Sequence, residues 1–163
     1  MFWADTIADE IEKKFGALSK QGTPLLIRDE KTASGRVHVG SMRGVAIHGI
    51  VSQILTERGI GNLFKYEIND FDVMDGLPVY LDQAAYKPRM GLPLRMVASP
   101  DGVAANYAEY FGMEFVKVIE ESGFHPQFYR ASELYLSGKM DPWIRKALMN
   151  ADKIREIYQR VSG

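Results

Sequence analysis

The short apolar run Leu25-Leu26-Ile27 and the pattern that follows it constrain this chain more than any other feature. After it come charged and small residues carrying Gly35 and Gly40. A three-and-four rhythm of Met42, Val45, Ala46, Gly49, Ile50, Gln53 and Ile54 follows, and then a second strand-like run, Leu63 to Ile68. The rhythm predicts a helix starting near Val39, with Gly59 just past its end. Strand, glycine-bearing loop, helix and strand in that order favour a right-handed parallel crossover. An unbroken apolar run reads as a strand buried on both faces, and Leu25-Leu26-Ile27 is expected to be one.

The flanking segments fit the same class. Phe2, Trp3, Ile7, Ile11 and Phe15 recur at helical spacing, and Gly16 reads as a stop. The stretch from Arg28 to His38 reads as loop. Between Phe71 and Gly102 the prolines Pro78, Pro88, Pro93 and Pro100 interrupt any period, so that segment is expected to be an insertion, about 71–105, with short helices or a lid. Helical rhythm returns with Tyr107, Ala108, Phe111, Phe115, Val118 and Ile119 and stops at Gly123; Gln127 to Arg130 reads as a short strand. Asp141-Pro142 then opens one last helix carrying Ile144, Leu148, Ile154, Ile157 and Val161. The expected fold is α/β, a doubly wound parallel sheet of the Rossmann-like kind, amounting to one half of a nucleotide-binding domain.

Charge and composition exclude several function classes. Lys and Arg total 20 against 21 for Asp and Glu, a net charge of -1, so a phosphate-bearing partner must be met by a local site. Cysteine is absent, which removes disulfides and thiolate-ligated zinc. No apolar run approaches the roughly 18–20 residues of a membrane-spanning helix, so no membrane partner is expected and the cytoplasm is the expected compartment.

The segment with chemistry in it is Thr32-Ala33-Ser34-Gly35-Arg36-Val37-His38-Val39-Gly40-Ser41. It lies between the first strand and the crossover helix, at the carboxyl edge of the sheet, where open α/β folds bind ligands. A helix N-terminus there offers unpaired N–H groups and partial positive charge to a phosphate. Gly35 and Gly40 leave room for a ligand beside the backbone, and His38 adds a donor for a phosphoryl oxygen. The spacing is neither Walker A nor GxGxxG, which demotes P-loop NTPases and dinucleotide enzymes.

Other residues have both a functional and a plain reading. Asp70, Asp72 and Asp75 suit a metal or ammonium site, and equally suit turns; Asp70 is the preferred partner for a substrate amine. Lys31, Arg36 and Arg43 are candidate phosphate contacts or solvated charges. His48 and His125 read as structural or solvent-exposed, and Tyr107, Tyr110, Phe111 and Phe115 as core.

Ala33-Ser34-Gly35 followed by His38-Val39-Gly40-Ser41 resembles the "HIGH" signature of class I aminoacyl-tRNA synthetases. Trp3-Ala4-Asp5, Asn69-Asp70-Phe71-Asp72, Tyr107-Ala108-Glu109 and Ala131-Ser132-Glu133-Leu134-Tyr135, in that order, narrow the likeness. Together they resemble the N-terminal half of the catalytic domain (HUP-type) of a class I lysyl-tRNA synthetase, across nearly all of residues 1–163. The resemblance implies ATP, with Mg2+, and lysine as substrates, lysyl-adenylate as intermediate and tRNA as acceptor, the tRNA being met mainly through missing regions, with Lys87 and Arg89 of the insertion as candidate contacts for its acceptor end. It also implies catalytic roles for His38 and Ser41, and ATP contacts from Thr32, Ala33, Ser34, Gly35, His38, Gly40 and Ser41. Amino-acid contacts would come from Thr32, Asp70 and Asp72, with no metal held by the protein itself.

The sequence departs from the wider class at two points. Ser41 stands where the signature has a second histidine, a substitution that the lysine-specific branch tolerates. No KMSKS-type loop or anticodon-binding region is found, as expected of a first half, so the fragment is expected to be incomplete or weakly active as an enzyme; Ser137-Gly138-Lys139-Met140 imitates the opening of that loop, but Asp141-Pro142 is a helix start. The residues alone also fit another small HIGH-type nucleotidyltransferase, or a non-catalytic binding module derived from a synthetase. A half-fold would leave a sheet edge and an apolar face uncovered, so self-association is a further expectation.

Overall fold

A computed structural model describes residues 2–162. They fall into two compact units, one running to Arg130 and the other starting at Ala131.

The first unit is built on a three-stranded parallel sheet in the order β1-β2-β3, with β1 at Leu25–Thr32, β2 at Asn62–Asn69 and β3 at Gln127–Arg130. Helix α1 is Trp3–Lys20, α2 is Val39–Glu57, and α4 is Tyr107–Glu121. Between β2 and α4 lies a short helix α3, Gln83–Tyr86, with single 3-10 turns at Lys87–Arg89 and Leu94–Met96. The expected α/β crossovers are present: β1 runs through α2 to β2, and β2 through the insertion and α4 to β3.

The register shows how the helices sit. Asp29 pairs with Tyr66 and Tyr66 with Phe128, so these side chains share one face of the sheet. That face meets α2, where Gly44 lies against Asp29, and α4, where Gly112 lies against Ile68 and Phe115 meets the Tyr66 ring edge-on at 5.7 Å. A core of Val45, Tyr66, Ile68, Met74, Leu94, Val97, Tyr107, Phe111, Phe115 and Ile119 fills this side. A second cluster joins α1 to α2 and β1 through Ala4, Ala8, Val51, Leu55 and Ile60.

Several sequence expectations are corrected. Leu25-Leu26-Ile27 is an edge strand rather than one buried on both faces: Leu26 is 62% exposed, and exposed residues alternate with half-buried ones. The apolar run is explained by one face packing on α1 and α2 while the other stays open. On the open face Arg28 pairs with the buried Glu67, and burial with the bond to Glu67 pushes the Tyr129 phenol up to about 12. The strand also continues to Thr32, into a segment expected to be loop, because its backbone pairs with β2 up to Asn69 despite the charged side chains. Helix α1 passes through Gly16, which is buried, and stops at Lys20. Its buried contacts are the small Ala4 and Ala8, while Phe2, Trp3, Ile7 and Phe15 remain exposed.

The second unit holds α5, Ala131–Leu136, α6, Asp141–Met149, and α7, Ala151–Ser162. Asp141-Pro142 does start a helix, with Pro142 in its first turn. The single terminal helix is instead two, divided at Asn150. The Asn150 amide bonds the Lys146 carbonyl at 2.8 Å, an Asn side chain competing with the helix for a backbone acceptor.

Candidate functional site

Strand β1 delivers Thr32 to the carboxyl edge of the sheet, and the chain then crosses to α2 through residues 33–38. Ala33 is buried, its N–H bonded to the Asn69 carbonyl at 3.1 Å, which anchors the loop to the end of β2. The Tyr107 hydroxyl donates to the Ser34 carbonyl at 2.9 Å. Tyr107 belongs to the core as the sequence suggests, but its polar tip also shapes the loop. Burial pushes its phenol up, so it stays a donor across the neutral range.

Gly35 is held more closely than expected. A Cβ there would stand 2.6 Å from the Tyr80 hydroxyl and 3.3 Å from Pro78, so the space that the missing side chain leaves is taken by the insertion. The Tyr80 hydroxyl accepts the Arg36 N–H at 2.7 Å, and the Arg36 guanidinium lies 5.3 Å from the Tyr80 ring centre. Nothing in the spacing of the insertion singles out Tyr80. Its neighbour Pro78 and the unpatterned length of the segment were the available signals.

His38 is the N-cap of α2 in extended conformation, with no side-chain capping bond. The first turn of α2 carries no acidic residue either. By contrast α3 is capped by Asp82, and α4 by Asn106 with Glu109 in its first turn. The positive end of α2 is therefore neither capped nor neutralised by its own side chains. His38 and Gly40 are exposed, and the imidazole Nδ1 lies 2.9 Å from where a Gly40 Cβ would be, so the ring lies over the first turn. Ser41 donates its N–H to the His38 carbonyl at 2.8 Å.

The carboxylates divide. The Asp72 carboxylate accepts from the Thr32 hydroxyl at 3.0 Å, and Asp72 is exposed. Asp70 is 5% exposed and lies against a cation of the insertion, with Arg95 Nε at 3.8 Å and the Arg95 N–H on its carbonyl at 2.9 Å. Asn69 organises this turn by accepting from the N–H groups of Phe71 and Asp72. Asp70, Asp72 and Asp75 do not gather: among the described residues no group of three His, Asp or Glu side chains could hold a metal. Lys31, Arg43, Lys87 and Arg89 stay at least partly exposed, and burial lowers the Lys31 ammonium from its usual value. His48 lies inside α2, 3.2 Å from Asp29, and His125 is exposed before β3.

At the end of β3, Arg130 Nε and Nη2 reach the two Glu109 carboxylate oxygens at 2.7 and 3.0 Å. This pair holds Glu109 below the usual carboxylate range. It joins α4 to β3 on the same edge of the sheet.

The whole chain, residues 1–163, matches the family model described as tRNA synthetases class I (K). A lysine–tRNA ligase of Methanosarcina barkeri (strain Fusaro) is 34% identical over 161 residues, covering 99% of this chain and 28% of that protein. One from Pyrococcus horikoshii is 34% identical over 158 residues, 97% of this chain and 29% of the relative. One from Thermoplasma acidophilum is 29% identical over 163 residues, 100% of this chain and 30% of the relative. The chain thus spans less than a third of the length of these relatives. No helix among the described residues is long and apolar enough to cross a membrane.

Proposed function

Because the chain belongs to the class I lysyl-tRNA synthetase family, we propose that it is the ATP-binding N-terminal part of a lysine–tRNA ligase. Such an enzyme activates lysine as lysyl-adenylate and passes the lysyl group to tRNA. The observation that carries this reading is the uncapped end of α2, with His38 over it, at the carboxyl edge of a parallel sheet.

In the first step a lysine carboxylate oxygen bonds to the α-phosphorus as the bond to pyrophosphate breaks. The protein's work is to align these groups and to stabilise negative charge spread over the phosphoryl oxygens. His38 donates from its imidazole to a phosphoryl oxygen, and the free N–H groups of the α2 turn face the same charge. Ser41 supplies a hydroxyl in that turn without adding charge. Ala33, Ser34 and Gly35, fixed by Asn69, Tyr107 and Tyr80, form the wall next to the nucleoside. Thr32 and Asp72 act together at the amino-acid end, where a carboxylate offsets the cost of desolvating the lysine ammonium. Asp70, already facing Arg95, holds the turn that presents Asp72. Magnesium bound to ATP would offset phosphate charge.

A near-neutral chain has no broad field for RNA, so tRNA is engaged chiefly through the remainder of a ligase of this family. Exchange of pyrophosphate into ATP, measured with each of the twenty amino acids, tests the reading. Exchange supported by lysine alone is the expected result. Exchange supported by a different amino acid overturns the choice of lysine, and a chain that binds no magnesium-ATP overturns the nucleotide site.

A further inference from the structure

Arg36 is engaged twice by one side chain of the insertion. Its N–H donates to the Tyr80 hydroxyl at 2.7 Å, and its guanidinium lies over the Tyr80 ring at 5.3 Å. Both partners are neutral. No carboxylate forms a direct ion pair with Arg36 among the described residues. The Tyr80 ring is itself seated against Phe111 of α4, at 6.4 Å between centres, and its hydroxyl lies over Gly35. Arg36, Tyr80, Asp82, Tyr86, Tyr110 and Phe111 line one hollow of about 260 Å³ beside the loop, in which Asp82 Oδ1 accepts from the N–H groups of Ala84 and Ala85 as the cap of α3.

A cation resting on an aromatic face is held weakly but keeps its full charge, unlike one tied to a carboxylate. The backbone bond removes the freedom of the loop at the same residue. We propose that Tyr80 is a positioning residue of the nucleotide site: it fixes the loop through the Arg36 N–H and keeps the Arg36 guanidinium in reserve for a ligand phosphate. This rests on the reading that residues 32–41 receive ATP, and it assigns to Arg36 a phosphate contact and to the insertion a part in building the site.

The test combines Tyr80→Phe, Arg36→Met and the double variant with two readouts. The first is hydrogen exchange at the Arg36 amide, read by NMR without nucleotide. Tyr80→Phe keeps the ring and loses the acceptor, so exchange there should quicken at least about tenfold while the core amides hold. The second is affinity for magnesium-ATP against adenosine. Each single variant should weaken ATP binding about five- to tenfold and leave adenosine binding unchanged. In the Arg36→Met background, Tyr80→Phe should add little, because Tyr80 acts through Arg36. Unchanged or tighter ATP binding in Tyr80→Phe overturns the proposal while leaving the nucleotide reading intact. Additive losses, or equal losses for adenosine, overturn it too, by showing a merely structural role. If the unaltered chain binds no ATP, the nucleotide reading itself fails and takes this proposal with it, even where the Arg36 amide behaves as expected.

Discussion

The hydroxyl of Tyr107 bonds the carbonyl of Ser34 at 2.9 Å across 73 residues of sequence. One contact thus ties the first turn of α4 to the loop that opens α2. Since Tyr107 is fully buried and packs on Phe111 at 4.8 Å, the loop takes its shape from the core. Site and fold are coupled through that ring.

Tyr107→Phe keeps the packing and leaves the Ser34 carbonyl without its donor. A partly buried hydrogen bond of this kind is worth about 1–2 kcal/mol. For a chain of this size the melting temperature should fall by roughly 3–6 °C. Thermal unfolding with and without ATP measures it, and the nucleotide-induced upward shift should shrink in the variant. An unchanged melting temperature would show that the bond contributes nothing.

Close packing of α2 gives a second expectation. Gly49 is buried, and the Phe124 ring occupies the place of a Cβ there. Gly49→Ala must displace that ring and should destabilise by about 1–3 kcal/mol, as overpacked cores do. Gly76→Ala is the control: nothing lies within 4 Å of its Cβ position, and its effect should stay within about 0.5 kcal/mol. Urea unfolding of both variants makes the comparison.

Acid stability follows from Glu109. Its carboxyl is held below the usual range by the Arg130 hydrogen bonds first and by the charge of Arg130 as well. A depressed folded value means that the contribution is complete above the unfolded glutamate value, about 4.3, and is lost as pH falls through the folded value. Glu109→Gln should therefore cost about 1–3 kcal/mol at pH 7. The difference from the unaltered chain should narrow below about pH 4. A gap independent of pH would contradict the ion-pair origin.

Much of the scaffold was legible because it depends on local pattern. The rhythm from Met42 to Ile54 places α2, which starts at Val39 after the charged and small residues of the loop. What the pattern could not carry was anything decided by a neighbour distant in sequence. Leu25-Leu26-Ile27 reads the same for a strand covered on both faces and for one covered on a single face, since the exposure of Leu26 depends on whether another layer packs over that face. Thr32 joined the strand because β2 offers backbone partners up to Asn69. Gly35 reads as space for a ligand, yet the occupant of that space is Tyr80, 45 residues on from it in an unpatterned segment. Asp70 and Asp72 are equivalent as letters; only the fold turns one to Arg95 and the other to Thr32.

Titration of the chain with magnesium-ATP, alongside its His38→Ala variant, tests the central claim most directly. An imidazole over the uncapped turn of α2 should contribute a hydrogen bond to a charged oxygen, so the variant should bind ATP at least about tenfold more weakly with its fold intact by circular dichroism. Equal affinity in the two proteins would contradict the placement of the phosphates at the start of α2.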